Sequence, residues 1–330
     1  MAYVLEVFEA QAGRETIGGK AANLAELHRA GFDVPRAFVI TTEAFREWSA
    51  SGLTDRLRTQ LLTTFRALRA PVAVRSSSPA EDLTTASFAG QYLTVLGVQT
   101  EAALLEAVER CWRSATAAAP SAYRKSVADE QPVAMAVIIQ ELVRAEIAGV
   151  LFTLDPVQDR ADRIVINSNF GLGESVVSGH AEPDTVILSK ETGATLEVRV
   201  GTKRVITRET DDGVTETGLD ASRRETLSLS DEQLRILLEA ARRLEDWFDA
   251  PVDSEWAFVG NRLYTLQARP VTTGFPAYHA YLLDQWARDR GLTDAAEAEW
   301  SRGSVLSGLR VSPLYYSEMS AFFADMFVDR

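Results

Sequence analysis

The order of apolar and polar positions divides the chain into a helix-rich first part and a strand-rich second part. Apolar residues recur at helical spacing over residues 55–69 and 101–127, and the apolar run at residues 35–40 predicts a short buried strand. From Pro132 onward, alternating runs separated by turn-forming residues predict a mostly antiparallel sheet. A capping-box sequence at residues 230–233 then predicts a long helix. The pattern therefore predicts an α+β fold.

Residues 253–270 predict a β-hairpin with a strongly polar face. Gly260-Asn261 is a strong turn signal between two strand-like runs. Because strand side chains alternate between faces, every second residue of each run shares a face. One face gathers Asp253, Glu255, Gln267 and Arg269.

The length of the loop decides how these polar residues pair. A two-residue loop places Glu255 opposite Leu266. A three-residue loop places Glu255 opposite Gln267. It also places Asp253 opposite Arg269, and we expect this second register because its groups suit a magnesium-bound polyphosphate. From this stretch alone, an edge hairpin with a solvated polar face is an equal alternative.

A second candidate site lies where the first helix begins. Gly18 and Gly19 precede Lys20, and Gly31 is expected to end the helix. Free backbone amides at a helix N-terminus, with an ammonium group beside them, can cradle a phosphate. The spacing is not that of a P-loop, so a solvated lysine is the better interpretation of this motif in isolation. Lysine is scarce in a chain rich in arginine, however, which draws attention to Lys20.

A third candidate is Arg75, which is expected to end a strand at residues 72–74. A hydroxyl-rich turn follows at residues 76–79, and a guanidinium beside hydroxyl donors suits a phosphate. A structural ion pair with Glu81 or Asp82 is the competing interpretation. Further along, the small residues at 86–91 could lie over a ligand.

Composition narrows the classes of function. The net charge of -13 leaves no electrostatic footprint for nucleic acid or an anionic membrane, so we expect neither as a partner. The length of 330 residues predicts two or three lobes. The single cysteine, Cys111, excludes a disulfide framework. With no basic, apolar leader and no apolar run of ~20 residues, we expect a cytoplasmic protein.

A series of motifs in fixed order gives the chain a family resemblance. They are GGKAANLAEL, VPRAFVIT, VAVRSSSPAEDL, SFAGQYLTVL, VIIQELV, AGVLFT, NFGLGESVVSG, DSEWAF and LYTLQARPV. Over residues 13–272 the chain resembles the N-terminal ATP-binding domain of phosphoenolpyruvate synthase, pyruvate phosphate dikinase and rifampin phosphotransferase. The closing SVLSGLRVSPLYYSEMS is similar, more weakly, to the start of the middle domain in the rifampin branch.

The resemblance implies a two-lobed ATP-grasp fold with mostly antiparallel sheets and flanking helices. We expect an N-terminal lobe at residues 1–130 and a second lobe with the metal-binding hairpin at residues 131–272. Residues 273–330 are expected to form a linker and the start of a following helical module that is cut short.

The resemblance also implies roles for individual residues. Phosphate binding and catalysis would fall to Lys20, Arg75 and Arg269. The adenine hinge would be formed by Gln140, Glu141, Leu142 and Val143. Magnesium would be held by Glu255 and Gln267, with Asp253 alongside. The loop over the phosphates would include Ser87, Gly90 and Gln91.

The implied reaction uses Mg-ATP to phosphorylate a carrier histidine, which passes the group to a small-molecule acceptor while ATP gives AMP and phosphate. The carrier histidine belongs to a separate domain with a Thr-Cys-His type motif, and none of His28, His180 and His279 has those surroundings. We therefore expect the ATP-activating part of a multidomain phosphotransferase, with an antibiotic-type acceptor slightly favoured over pyruvate. An ATP-grasp ligase acting through an acyl-phosphate and a non-catalytic nucleotide-binding module are the alternatives.

Both Lys20 and Arg75 are expected in a wet cleft. Replacing either with alanine should then weaken ATP binding with little loss of stability. Replacing Glu255 with alanine should abolish the magnesium dependence of binding.

Overall fold

The structure is a computed structural model that describes residues 3–79, 93–117, 134–177, 179, 181–210 and 213–271. Its helices are α1 (Arg14–Arg29), α2 (Thr42–Ser51), α3 (Asp55–Arg66), α4 (Glu101–Ala117), α5 (Glu174–Val177), α6 (Ala221–Arg224) and α7 (Asp231–Phe248). Its strands are β1 (Val4–Glu6), β2 (Ala37–Ile40), β3 (Val72–Ser77), β4 (Thr94–Val98), β5 (Ala136–Glu141), β6 (Ile147–Phe152), β7 (Arg163–Phe170), β8 (Asp184–Ser189), β9 (Thr195–Arg199), β10 (Val205–Thr210), β11 (Gly213–Gly218), β12 (Val252–Val259) and β13 (Arg262–Pro270). The described elements confirm the predicted α+β class.

The first sheet has five antiparallel strands in the order β1-β2-β5-β3-β4. Helices α2, α3 and α4 pack on one face, where Leu57, Leu104 and Trp112 are buried against the strands. Helix α1 packs on the other face, and the base of the β12–β13 hairpin joins the same core through Val252 and Ala268. The first sheet and the hairpin of the second therefore share a core beside α1.

The predicted boundary at residue 130/131 does not separate the two sheets. Strand β5 lies beyond that boundary in sequence, yet it pairs with β2 and β3 in the centre of the first sheet. The change from one sheet to the other falls between Glu141 and Ile147. An apolar run predicts a strand but does not identify the sheet that the strand will join, because pairing depends on distant partners. The division into domains otherwise remains a prediction.

The second sheet has six antiparallel strands in the order β13-β12-β6-β7-β8-β9. Helix α7 covers one face, burying Leu234 and Leu237 against Ile166, Val186 and neighbouring side chains. The capping box is present as predicted, since the Ser230 hydroxyl accepts from the Gln233 amide while the Gln233 side chain accepts from the Ser230 amide. The Gln233 Nε2 also donates to the Gly260 carbonyl at 2.9 Å, which fixes the hairpin turn to the helix start.

A hairpin that the sequence analysis did not predict, β10–β11, extends toward the first sheet. The Gln99 Nε2 donates to the Thr210 carbonyl at 2.7 Å, and Gly97 leaves room for Val214. Within the described part of the chain, no helix is long and apolar enough to span a membrane.

Candidate functional site

Arg75 lies on β3 and connects the two sheets. The residue is only 8% exposed, and its Nη2 donates to Glu255 Oε2 at 2.6 Å and to Gln267 Oε1 at 2.7 Å. Its Nη1 donates to the Leu266 carbonyl at 3.0 Å and makes a longer contact of 3.4 Å with Gln140 Oε1. The strand continues to Ser77, so the prediction that Arg75 ends it is wrong. Pairing with β5 on one side extends the strand past that residue.

The hairpin brings the predicted polar pairs together by an unexpected route. Glu255 lies opposite Gln267, as the expected register requires. The turn itself, however, is a two-residue loop, since Val259 pairs with Arg262. The register shifts next to Glu255, where Leu266 is an extra residue in a β-bulge. The three-residue loop is therefore wrong, but the bulge restores the same facing pairs.

Asp253 and Arg269 form the second facing pair of the hairpin. The Arg269 Nε and Nη2 donate to Asp253 Oδ2 at 3.0 and 2.8 Å. Burial raises the pKa of the Asp253 carboxyl, and the neighbouring Glu255 charge adds to this, while Arg269 opposes the shift. The ion pair with Arg269 therefore offsets part of the desolvation of the partly buried Asp253 carboxylate.

The start of the Lys20 helix is anchored to the strand that carries Arg75. Gly18 interrupts α1 with φ of 76°, and a Cβ there would lie 2.2 Å from the Ser77 carbonyl oxygen. The Ser77 hydroxyl donates to the Ile17 carbonyl at 3.0 Å and accepts from the Ala21 amide at 3.2 Å. Lys20 lies in the first turn after this interruption and is partly buried. At the other end, Gly31 has φ of 77° and terminates the helix as predicted.

The serine hydroxyls after Arg75 are used within the fold. The Ser76 hydroxyl donates to the Leu93 carbonyl at 3.1 Å, and the Ser77 hydroxyl holds the α1 interruption. The interpretation of this turn as a set of phosphate donors is therefore wrong for these two residues, because both hydroxyls are buried and engaged. Thr94, which the sequence analysis did not single out, is exposed and lies directly opposite Arg75 on β4.

Gln140 is the best-placed member of the predicted adenine hinge. It is 3% exposed, and its Nε2 has no hydrogen-bond partner among the described residues. The Glu141 amide donates to the Arg36 carbonyl at 2.9 Å, and the Leu142 amide donates to the Pro71 carbonyl at 3.0 Å. These two backbone amides are therefore already hydrogen-bonded within the fold. If residues 140–143 bind adenine as predicted, the base must use other polar groups of this segment.

Several predicted residues lie outside the described part of the chain. They are Ser87, Gly90, Gln91, Glu81, Asp82, His180 and His279, together with the module at residues 273–330. His28 is described, and its ring stacks on Phe8 with centroids 4.0 Å apart. His28 is exposed on α1, and the stacking on Phe8 gives it a structural role.

The chain matches a known family over most of its length. Residues 14–65 and 50–278 match the family described as "Pyruvate phosphate dikinase, AMP/ATP-binding domain". The uncharacterized phosphotransferase YvkC of Bacillus subtilis is 34% identical over 287 residues, covering 80% of this chain and 34% of that protein. A probable phosphoenolpyruvate synthase of Methanothermobacter thermautotrophicus is 35% identical, covering 78% of this chain and 44% of that protein. A rifampicin phosphotransferase of Streptomyces sviceus is 34% identical, covering 83% of this chain and 36% of that protein.

This chain spans less than half the length of these curated relatives. Among solved structures, a dinucleotide-forming acetyl-coenzyme A synthetase from Ca. Korarchaeum cryptofilum overlaps with a TM-score of 0.42 at 13% identity, covering 78% of this chain and 93% of that one. A score in this range does not establish a common function. The sequence matches are decisive: the chain belongs to the family of pyruvate phosphate dikinase AMP/ATP-binding domains.

Proposed function

We propose that the chain binds Mg-ATP between its two sheets and is the ATP-activating part of a multidomain phosphotransferase. The observation that carries the proposal is the contact of Arg75, on the first sheet, with Glu255 and Gln267 on the second. An apolar contact would join the sheets at a lower desolvation cost, so stability alone does not require a buried guanidinium there. A site for a metal-bound polyphosphate does require such groups. The description of the family, an AMP/ATP-binding domain, supports the nucleotide.

Magnesium would be held by the side-chain oxygens of Glu255 and Gln267. The described residues contain no group of three or more His, Cys, Asp or Glu side chains suited to a metal ion. Two side-chain oxygens can still suit magnesium, which keeps several waters and completes its octahedron with substrate phosphates. When bound, the metal would neutralise part of the phosphate charge, and Lys20, Arg75 and Arg269 would neutralise more.

The adenine base of ATP would lie against residues 140–143. There, Gln140 Nε2 is a buried donor without a partner among the described residues. The arrangement that we infer is an ATP-grasp, in which two lobes close on the nucleotide and exclude water. Such closure would keep the phosphoryl group for its intended acceptor.

The phosphoryl group would pass to a histidine on a separate domain and then to a small-molecule acceptor. The relatives are named as a phosphotransferase, a phosphoenolpyruvate synthase and a rifampicin phosphotransferase, and each extends well beyond the region matched here. Formation of AMP and phosphate only when a relative's carrier-histidine domain is added would support this step. Turnover of ATP with an acyl-phosphate product and no carrier would favour a ligase instead.

The test of the nucleotide site is a calorimetric titration of the chain with a non-hydrolysable ATP analogue, with magnesium alone, and with both together. We expect measurable binding of the Mg-nucleotide and its loss in the Lys20→Ala variant. In Glu255→Gln, the magnesium dependence should disappear. Glu106→Gln, at an exposed position on α4, is the matched control and should bind as the wild type does. Equal binding by Glu255→Gln and Glu106→Gln would overturn the metal assignment.

A further inference from the structure

Strand β9 forms one edge of the second sheet and is exposed on both faces. All five residues of the strand are exposed, and among the described residues no strand pairs with its outer side. Leu196 is 51% exposed, Val198 is 49% exposed and Val200, just past the strand, is 42% exposed. An edge with this much exposed apolar surface is a template for another strand.

The two faces of β9 differ in chemistry. Val198 lies opposite Val186, whose side chain belongs to the core under α7, so Val198 continues the apolar face of the sheet. Glu197 and Arg199 lie opposite Ile187 and Thr185 and project from the other face. The strand therefore carries an apolar face and a face with one charge of each sign.

This pattern is complementary to itself. If two copies of β9 run antiparallel about a two-fold axis at Val198, that residue meets its own copy. Glu197 then meets Arg199 of the second copy, and Arg199 meets Glu197, so both cross-strand pairs have opposite charges. Leu196 is the extra residue of a β-bulge, since Glu197 lies opposite Ile187 and Thr195 lies opposite Leu188, and it comes opposite Val200 of the second copy.

We propose that β9 pairs with β9 of a second copy of this chain, joining the two six-stranded sheets into one. Charges often protect an edge strand from pairing, but they do so when they face inward or repel the partner. Here their spacing about Val198 makes them attractive in one register only. The proposal does not depend on the proposed function, because at least three strands separate β9 from the hairpin residues Glu255 and Gln267.

Five residues per strand give a small interface, so the association is expected to depend on protein concentration. Sedimentation velocity over a concentration series should show a monomer–dimer equilibrium for the wild-type chain. Glu197→Arg should weaken dimerisation about tenfold or more, because both cross-strand pairs then hold like charges. Arg199→Glu should have the same effect for the same reason.

A mixture of the two variants supplies the decisive measurement. In Glu197→Arg both charged positions of β9 are positive, and in Arg199→Glu both are negative. A strand of one variant therefore attracts a strand of the other at both positions, so the mixture should form a heterodimer that neither variant forms alone. Glu106→Arg on α4 is the control for a change in net charge and should dimerise as the wild type does. Circular dichroism of each variant checks that it folds.

Two outcomes would overturn the proposal. One is a wild-type chain that stays monomeric throughout the concentration series. The other is a dimer that both single variants retain, since its contact would then lie elsewhere on the surface.

Discussion

Arg75 combines a structural role between the two sheets with a place in the proposed nucleotide site. The sequence suggested a guanidinium in a wet cleft that could be removed with little loss of stability. In the structure it is buried and donates to Glu255, Gln267 and the Leu266 carbonyl. Its removal would leave a carboxylate and two oxygen acceptors without their donor, so the expectation of a small stability effect is corrected.

The first prediction therefore concerns Arg75→Ala. We expect a loss of about 1–3 kcal/mol in the free energy of unfolding, because buried acceptors lose charge-assisted hydrogen bonds. Nucleotide affinity should fall as well. Urea unfolding measures the first effect and calorimetric titration the second. Lys20→Ala is the comparison variant. Because Lys20 is only partly buried, the urea midpoint of this variant should change less than that of Arg75→Ala. A wild-type midpoint for Arg75→Ala would show that the Arg75 contacts add nothing to stability.

The second prediction concerns Cys111, the single cysteine of the chain. Burial raises the pKa of its thiol to about 12, while the nearby positive charges of Arg110 and Lys20 oppose the shift only in part. The native thiol should therefore resist alkylation at pH 8, where an unfolded thiol with a pKa of about 8.5 already reacts.

Stability should follow the same thiol as the pH changes. Above pH ~8.5 the unfolded chain loses the thiol proton and the native chain keeps it, so the native state binds more protons and stability falls as the pH rises toward 12. Cys111→Ser is the matched variant for separating this contribution in a pH series of urea melts. Rapid alkylation of the folded wild type at pH 8 would contradict the assignment.

The scarcity of lysine drew attention to Lys20, but the structure gives other lysines of the chain different roles. Lys190 and Glu245 form a nearly buried ion pair, and Lys203 forms a fully buried pair with Asp184. Desolvation lowers the pKa of Lys190, and Glu245 opposes this effect. A compact ammonium group fits these sites better than a guanidinium fork does. The same rarity that drew attention to Lys20 therefore also reflects structural pairs, which a one-dimensional pattern cannot distinguish.

Among the elements, the β12–β13 hairpin holds most of the candidate site. The sequence predicted which polar residues face one another because only one register brings chemically matched groups together. It did not predict the bulge at Leu266, since a two-residue loop plus one extra residue and a three-residue loop give the same facing pairs beyond it. The bulge also turns the Leu266 carbonyl toward Arg75.

Deleting Leu266 tests the purpose of the bulge. The shortened strand can still pair Glu255 with Gln267 and keep every later residue in register, so the hairpin should form. The carbonyl that accepts from Arg75 is lost, and we expect nucleotide affinity to fall severalfold with a stability loss of about 1 kcal/mol. Calorimetric titration and urea unfolding provide the two readouts. Unchanged affinity in a folded deletion variant would mean that the bulge is a local accommodation without a role at the site.

The β10–β11 hairpin was missed because its pattern is weak. Exposed and partly buried positions predominate along β11, and polar residues occur on both of its faces. A short strand with polar residues on both faces lacks the alternation of apolar and polar positions by which a strand is recognised in a sequence.

At the scale of the whole molecule, the sequence predicted antiparallel sheets with flanking helices, and the structure confirms both. It could not assign β5 to the first sheet, because a central strand is defined by partners that are distant in the chain. The same limit applies to Gln140 on β5. Its proximity to Arg75 follows from the pairing of β5 with β3, which the sequence pattern does not encode.

The contact of Arg75 with Glu255 and Gln267 has a thermodynamic consequence. In the free chain both proposed metal ligands already accept hydrogen bonds from the Arg75 guanidinium, and Glu255 alone neutralises its charge. A lone magnesium ion must therefore displace that partner and leave Arg75 buried without a counter-charge. A magnesium ion that arrives with a polyphosphate brings the replacement anion with it. Metal and nucleotide should therefore bind with positive cooperativity, each raising the affinity for the other by the same factor. The chain would then respond to the Mg-nucleotide complex and remain nearly indifferent to free magnesium.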